Sequence, residues 1–268
     1  MLSILCGCSL KNQTAESATE ATAKATVSVT FPEGYSAYQI ARKLEENNVC
    51  TAKDFMAALN DSAYIMSLNY SFIPMIDNIS QRAFILEGYI FPDTYEFYIG
   101  ESAEMALARF LANTDKKLTE ELYMRSNELG YSLDEMIALA SVIQKEAGKK
   151  EEMHKVSSVF HNRLTEPHLG TNGMLQSDVT VLYLKEYIFS SPYLTGDTKK
   201  YTEFYDTYEK AGLPVGAICN PGMDAILAAL YPDDTPYFYF VTDSEKNYYY
   251  AITYNEHKKN CRLCGLNG

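Results

Sequence analysis

The apolar residues of the chain change period several times along its length. Val27, Val29 and Phe31 alternate with small polar residues, as the positions of a half-buried strand do. Pro32-Glu33-Gly34 turns the chain, and Ser36 with Gln39 forms a capping box ahead of Ile40, Ala41 and Leu44, a helix face that ends at Asn47-Asn48. Thr51 with Asp54 opens a second short helix through Leu59, and residues 61–68 read as a third. Residues 86–97 are dense in aromatics and broken by Gly88 and Pro92, which predicts extended chain and turn. From 102 to 129, Met105, Ala106, Phe110, Leu111, Leu118 and Leu122 recur at helical spacing up to Gly130, giving one long helix or two abutting ones.

The most strongly specified element follows. Ser132 and Glu135 make a capping box, 136–143 is almost wholly apolar or small, and Gly148 is the residue expected to leave the helix in the left-handed conformation. Such a helix is buried over most of its circumference. Glu146 lies three, four and seven residues after Ile143, Val142 and Leu139, so a carboxyl stands at the end of an apolar row. Partial burial and the negative helix terminus both raise the proton affinity of such a group, as a general acid requires. The alternative is an ordinary ion pair with Lys149 or Lys150 at a frayed end.

A further helix is predicted over 151–164, with Met153, Val156, Val159 and Phe160 inward and His161-Asn162-Arg163 at its end, either contacting a ligand or simply solvated. After a Pro- and Gly-containing loop, Asp178 is placed to cap a helix over 179–187. Residues 212–222 form an irregular Gly/Pro loop, 223–231 a helix, and 237–242 with 248–253 a hairpin. No internal repeat and no apolar run of the ~20 residues needed to span a membrane is present.

The first 26 residues follow a different logic. Leu5-Cys6-Gly7-Cys8 resembles the bacterial lipobox, with Cys8 as candidate lipidation site, and 11–26 lack large apolar side chains, as a disordered tether does. Net charge is -12, with 23 Lys and Arg against 35 Asp and Glu, which argues against nucleic acid or an anionic membrane surface as partner. Membrane contact is therefore expected only through the N-terminus. The 22 Tyr suit surfaces that stack on and hydrogen-bond to sugars, although most will be core and sheet residues. The six cysteines show no repeating pattern, and the isolated Cys261-x-x-Cys264 lacks the second ligand pair of a zinc site, so no metal is expected.

In order along the chain stand Leu86-Glu-Gly-Tyr-Ile-Phe-Pro-Asp-Thr-Tyr95, Ala140-Ser-Val-Ile-Gln-Lys-Glu146, Val159-Phe-His-Asn-Arg-Leu164, Leu175-Gln-Ser-Asp-Val-Thr180, Tyr205-Asp-Thr-Tyr208, Gly212-Leu-Pro-Val-Gly-Ala-Ile218 and Asn220-Pro-Gly222. With these motifs residues 27–259 resemble the endolytic murein transglycosylase family of bacteria, also called YceG-like. The resemblance implies an α+β fold: after the export remnant and tether (1–26), a small LysM-like subdomain (27–84), whose opening at Phe31 to Ile40 is itself similar to a LysM module, and a helix-rich catalytic domain with a short antiparallel sheet (85–268). It implies an extracytoplasmic enzyme held to the membrane by its N-terminus, acting on peptidoglycan glycan strands and ending their growth, with peptidoglycan synthases as further partners and no cofactor. Glu146 takes the catalytic position, with Glu87, Asn162, Arg163, Gln176, Ser177, Asp178, Tyr205 and Tyr208 lining the substrate groove. Gln144 departs from the family pattern, which has an acid there, and so removes a negative charge near Glu146.

The implied reaction needs one acid and forms a 1,6-anhydro end. Two other readings remain open on the sequence: a muramidase in which Glu87 or Asp178 serves as second carboxylate, and a cell-wall-binding lipoprotein without chemistry.

Overall fold

The computed structural model describes residues 24–167 and 171–266. Cys8 and nearly all of the expected tether lie outside these residues. Among the described residues the first element is strand β1 (Thr26–Thr30), followed by α1 (Ala37–Glu46), α2 (Ala52–Ala58) and α3 (Ser62–Ser67). Each helix starts where its cap residue places it: Ser36 and Gln39 close a reciprocal capping box on α1, and Thr51 and Asp61 accept from Asp54 N–H and Tyr64 N–H at α2 and α3.

The chain then passes through turns to β2 (Thr94–Tyr98), which pairs antiparallel with β1 in the register Val27 to Phe97 and Val29 to Tyr95. The expected division at 84/85 falls inside this pairing, because the strand that completes the first sheet comes from beyond it. The end of the stretch predicted as extended chain and turn is thus a ladder strand. Phe31, Tyr95, Phe97 and Phe110 interlock edge-on and tilted beneath the sheet, with ring centroids 4.4–6.1 Å apart.

Two helices, not one, fill 102–129: α4 (Ala103–Lys117) and α5 (Glu120–Glu128), with Gly130 in the left-handed region after the second. Met105, one of the apolar residues at helical spacing in this segment, is exposed. The central helix α6 (Leu133–Glu146) is buried at every position from Leu133 to Ile143 except Glu135, and packs against α5 and against the later helices at 153–165, 178–183 and 223–230. Its end differs from expectation. Ala147 leaves the helix in extended conformation and Gly148 keeps a negative φ, so no left-handed glycine stops it. The hydroxyl of Tyr248 takes over instead, accepting from Gly148 N–H at 2.7 Å.

After a 3-10 turn, α7 (Met153–Thr165) buries Met153, Val156, Val159 and Phe160 as predicted. Helix α8 (Asp178–Tyr183) runs into a π-helical turn (Leu184–Ile188), and α9 (Thr202–Tyr205) is a single turn. The loop 212–222 leads to α10 (Met223–Leu230), the neighbour of α6. Strands β3 (Tyr239–Thr242) and β4 (Tyr248–Ala251) form the predicted hairpin. One more helix, α11 (Tyr254–Leu263), folds back on this hairpin from a capping box of Thr253 and Glu256. The architecture is helix-rich with two short antiparallel sheets, and no helix among the described residues is long and apolar enough to cross a membrane.

Candidate active site

Two buried polar clusters hold the helices that carry the site. At the start of α6, Asp134 takes an ion pair from Arg82 and hydrogen bonds from the Tyr89 hydroxyl (2.5 Å) and Asp77 N–H (3.2 Å). Both members of the pair are buried. Gly216 lies against the Arg82 guanidinium, where a Cβ would stand 2.9 Å from a nitrogen. Arg82 and Asp134 went unremarked in the sequence because nothing local marks two residues 52 positions apart as partners.

The second cluster is built on Glu87. Its residue is 1% exposed, and its carboxylate accepts from Ala37 N–H at the start of α1 (2.8 Å), from the Asn220 amide (2.9 Å) and from the Tyr183 hydroxyl (3.2 Å). Asn220 also accepts from Gly88 N–H and Ile90 N–H and donates to Tyr35 C=O, so one amide ties three segments together. Gly88 between them has φ +94°, and a Cβ there would come within 2.5 Å of the Ala217 Cβ. Burial pushes the Glu87 pKa up to about 8 despite the three donors and the charge of Lys145.

The cavity lies at the other end of α6. It has a volume of about 990 Å³ and is lined by Glu146, Arg163, Gln176, Asp178 and Tyr208 together with residues of β3 and α11. Glu146 is partly buried and accepts a 2.5 Å hydrogen bond from the Ser177 hydroxyl. Burial raises its pKa; the Ser177 bond opposes the rise, the Asp178 charge adds to it and the Arg163 charge opposes it. Lys149 and Lys150 do not pair with it, since Lys150 bonds Asp224 instead. The ordinary ion-pair reading of Glu146 is thereby replaced by a carboxyl turned to the cavity.

The segment carrying Ser177 is held under strain. Gln176 sits in the left-handed region at φ 49°, unusual for a residue with a Cβ and confined here by its surroundings. Thr207 supplies the constraint: its carbonyl accepts from Gln176 N–H and its hydroxyl from Ser177 N–H, both at 3.0 Å, while Thr180 bonds Ser177 C=O and the same hydroxyl. Thr207, central in the Tyr205-to-Tyr208 motif, was not singled out as a site residue. Ser177 is the residue preceding α8, and Asp178 makes no capping bond; its carboxylate accepts from the Tyr208 hydroxyl at 2.7 Å. The expectation that Asp178 caps a helix is corrected by that contact, which keeps its charge beside Glu146.

The remaining site candidates divide. Arg163 is buried, donates to Phe238 C=O (2.7 Å) and Leu175 C=O, and has its pKa lowered to about 10 by burial, against the opposing pull of Tyr239, Glu146 and Tyr208. It joins the hairpin to the loop before Ser177. Asn162 donates to Thr235 C=O and Tyr237 C=O, and His161 bonds Ala229 C=O. The triplet at the end of α7 is therefore internal framework rather than a solvated end, and Asn162 does not line the cavity. Tyr205 is fully buried, its hydroxyl accepting from Ala83 N–H and its ring against Tyr183. Glu87 and Tyr205 likewise stand apart from the cavity. Gln144 accepts from Gly222 N–H at 2.9 Å, at the start of α10, so the side chain serves that helix terminus.

The sequence model of the YceG-like family matches residues 9–263. The endolytic murein transglycosylase of Bacillus subtilis is 32% identical over 246 residues, covering 86% of this chain and 63% of that protein. The endolytic murein transglycosylase of Streptococcus pneumoniae is 28% identical over 245 residues, covering 87% of this chain and 43% of that protein. The chain thus spans only part of the length of these relatives. A crystal structure described as a yceG-like protein of Listeria monocytogenes superposes with a TM-score of 0.72 at 28% identity, over 88% of this chain and 75% of that one.

Proposed function

The chain belongs to the YceG-like family, and on that premise we propose that it is an endolytic peptidoglycan transglycosylase that uses Glu146 as its single acid–base. The observation that carries this reading is a carboxyl of raised proton affinity facing a cavity of about 990 Å³. The substrate is a peptidoglycan glycan strand, and the bond cut joins N-acetylmuramic acid to N-acetylglucosamine. Protonated Glu146 gives its proton to the glycosidic oxygen as the muramic C1–O bond breaks. The muramic C6 hydroxyl closes on C1, and the Glu146 carboxylate takes up the proton it releases. A 1,6-anhydro end results without water, and the acid returns to its starting state.

The neighbours suit each half of this cycle. Asp178 favours the protonated form that starts the reaction, while the Ser177 hydroxyl and Arg163 favour the carboxylate that finishes it. Cleavage inside growing strands would end their extension, and work outside the cytoplasm with attachment to the membrane through the N-terminus is part of the same proposal. One observation favours a second reading: Asp178 lines the same cavity, so a muramidase with Asp178 directing a water is the competitor. Glu87 does not fit that role, being enclosed and engaged by three donors.

Glu146→Gln keeps the shape of the side chain but exchanges no proton, so it is expected to fold as wild type does and lose cleavage by a factor of at least about 100. Mass spectrometry of the products from uncrosslinked strands discriminates the readings. Anhydro ends support the transglycosylase; reducing ends carrying oxygen from labelled water make it a muramidase. Intact strands with wild type leave a binding protein.

A further inference from the structure

The cavity has a wall that the proposed chemistry does not use. It is formed by Tyr239 of β3 and by Tyr254 and His257 of α11, which line the same cavity as Glu146. These rings form one cluster: Tyr239 stacks on His257 with centroids 5.2 Å apart and planes inclined by 23°, and Tyr254 lies 5.9 Å from Tyr239 and 6.3 Å from His257. Tyr239 is buried behind and backed by the Arg163 guanidinium 5.4 Å from its centroid, so the cluster has a fixed base. Tyr254, in the first turn of α11, is 56% exposed while lining the cavity. A large ring left this open on the inner side of a concave site offers its face to an occupant.

The wall is also matched to an uncharged partner. Burial and the Arg163 charge both lower the proton affinity of His257, which favours its neutral form. Among the described residues the cation beside the Tyr254 ring is Lys258, 4.9 Å from its centroid. An electron-rich aromatic face beside polar groups is suited to the C–H face of a pyranose, whose hydroxyls are left free for the rim.

We propose that Tyr254, supported by Tyr239 and His257, forms a stacking subsite for a sugar ring of the glycan strand, distinct from the residues that carry out cleavage at Glu146. This deepens the transglycosylase reading and rests on it. The C-terminal helix is then part of the substrate groove and not merely a cover for the hairpin, and strand affinity depends on a residue from the opposite end of the sequence to the N-terminal module.

The test uses the full chain and uncrosslinked, peptide-free glycan strands. Tyr254→Ala is expected to raise KM about tenfold, corresponding to ~1.4 kcal/mol, and to change kcat by a smaller factor. Tyr254→Phe, which keeps the ring, restores KM to within about twofold, and Tyr254→Leu, which keeps only apolar cover, does not. Binding of the same strands to Glu146→Gln and to Glu146→Gln with Tyr254→Ala, measured by calorimetry, is expected to show the same tenfold loss. Active wild type with unchanged KM and affinity in Tyr254→Ala overturns the subsite and leaves the cleavage reading standing. Wild type that neither cuts nor binds strands overturns both. Full rescue by Leu overturns stacking as the cause.

Discussion

Replacing Glu87 by Gln tests whether the carboxyl that joins α1, the 86–91 turn and the 218–222 loop is held there as an acid. Its pKa is about 8 in the fold against 4.5 for an ordinary glutamate. The folded state therefore binds the proton more tightly than the unfolded chain. Stability from this group is fully present below pH 4.5 and is lost as pH rises through 8. A displacement of this size corresponds to roughly 4–5 kcal/mol, removed at ~1.4 kcal/mol per pH unit across the window. Glutamine copies the protonated form. Its oxygen accepts from Ala37 N–H and the Asn220 amide as Oε1 does at 2.8 and 2.9 Å, and its NH2 faces the Tyr183 hydroxyl 3.2 Å away. Urea unfolding of wild type and Glu87→Gln from pH 5 to 9, followed by far-ultraviolet circular dichroism, isolates the group, because other titrations cancel in the difference. The variant should match wild type near pH 5, exceed it increasingly up to pH 8 and hold a constant margin above. Parallel stabilities across the range would refute the reasoning, as would a variant weakened at every pH, which would mean that the ionised carboxylate is the species the fold requires.

Two substitutions beside Glu146 should move the alkaline limb of the activity profile in opposite directions. Activity falls as pH rises through the pKa of the acid, so Asp178→Asn, which removes a charge raising it, shifts the limb to lower pH, and Ser177→Ala, which removes a bond lowering it, shifts it to higher pH; kcat measured against pH checks both, and shifts of the same sign contradict the assignment. Asp134→Ala leaves Arg82 charged and buried, for an expected loss of ~3–5 kcal/mol, whereas Arg82→Met with Asp134→Leu should lose less than the single change; denaturant unfolding of both variants decides it.

Much of this fold was legible wherever a signal is local. Capping boxes at Ser36 and Ser132 start α1 and α6 where expected, and alternation in 237–253 yields the hairpin. Helix α11 carries the same kind of signal in Thr253 and Glu256, but the polar residues that follow give it no apolar period. Gly148 misled because a hydroxyl from 100 residues away replaced the turn a glycine would have made. The site divided along the same line. Glu146, Ser177, Asp178 and Tyr208 meet as motifs close to cavity-facing turns, whereas Glu87, Asn162 and Tyr205 belong to equally recognisable motifs whose task is to join distant backbone. A motif marks a demanding environment, and which of its side chains line the cavity and which join backbone is set by segments distant in sequence.

The pairing of β1 with β2 has a consequence for how the chain is made. Thr26 faces Tyr98 and Thr30 faces Thr94, so the first strand to emerge waits for a partner encoded some seventy residues later. At ~5–20 residues per second that interval lasts roughly 3–14 s. Throughout it Val27, Val29 and Phe31 form a lone apolar edge with no ladder, the kind of surface that neighbouring chains can capture. Nascent chains stalled short of residue 98 should therefore aggregate, and those stalled well beyond it should not, a difference that sedimentation of ribosome-released fragments would expose.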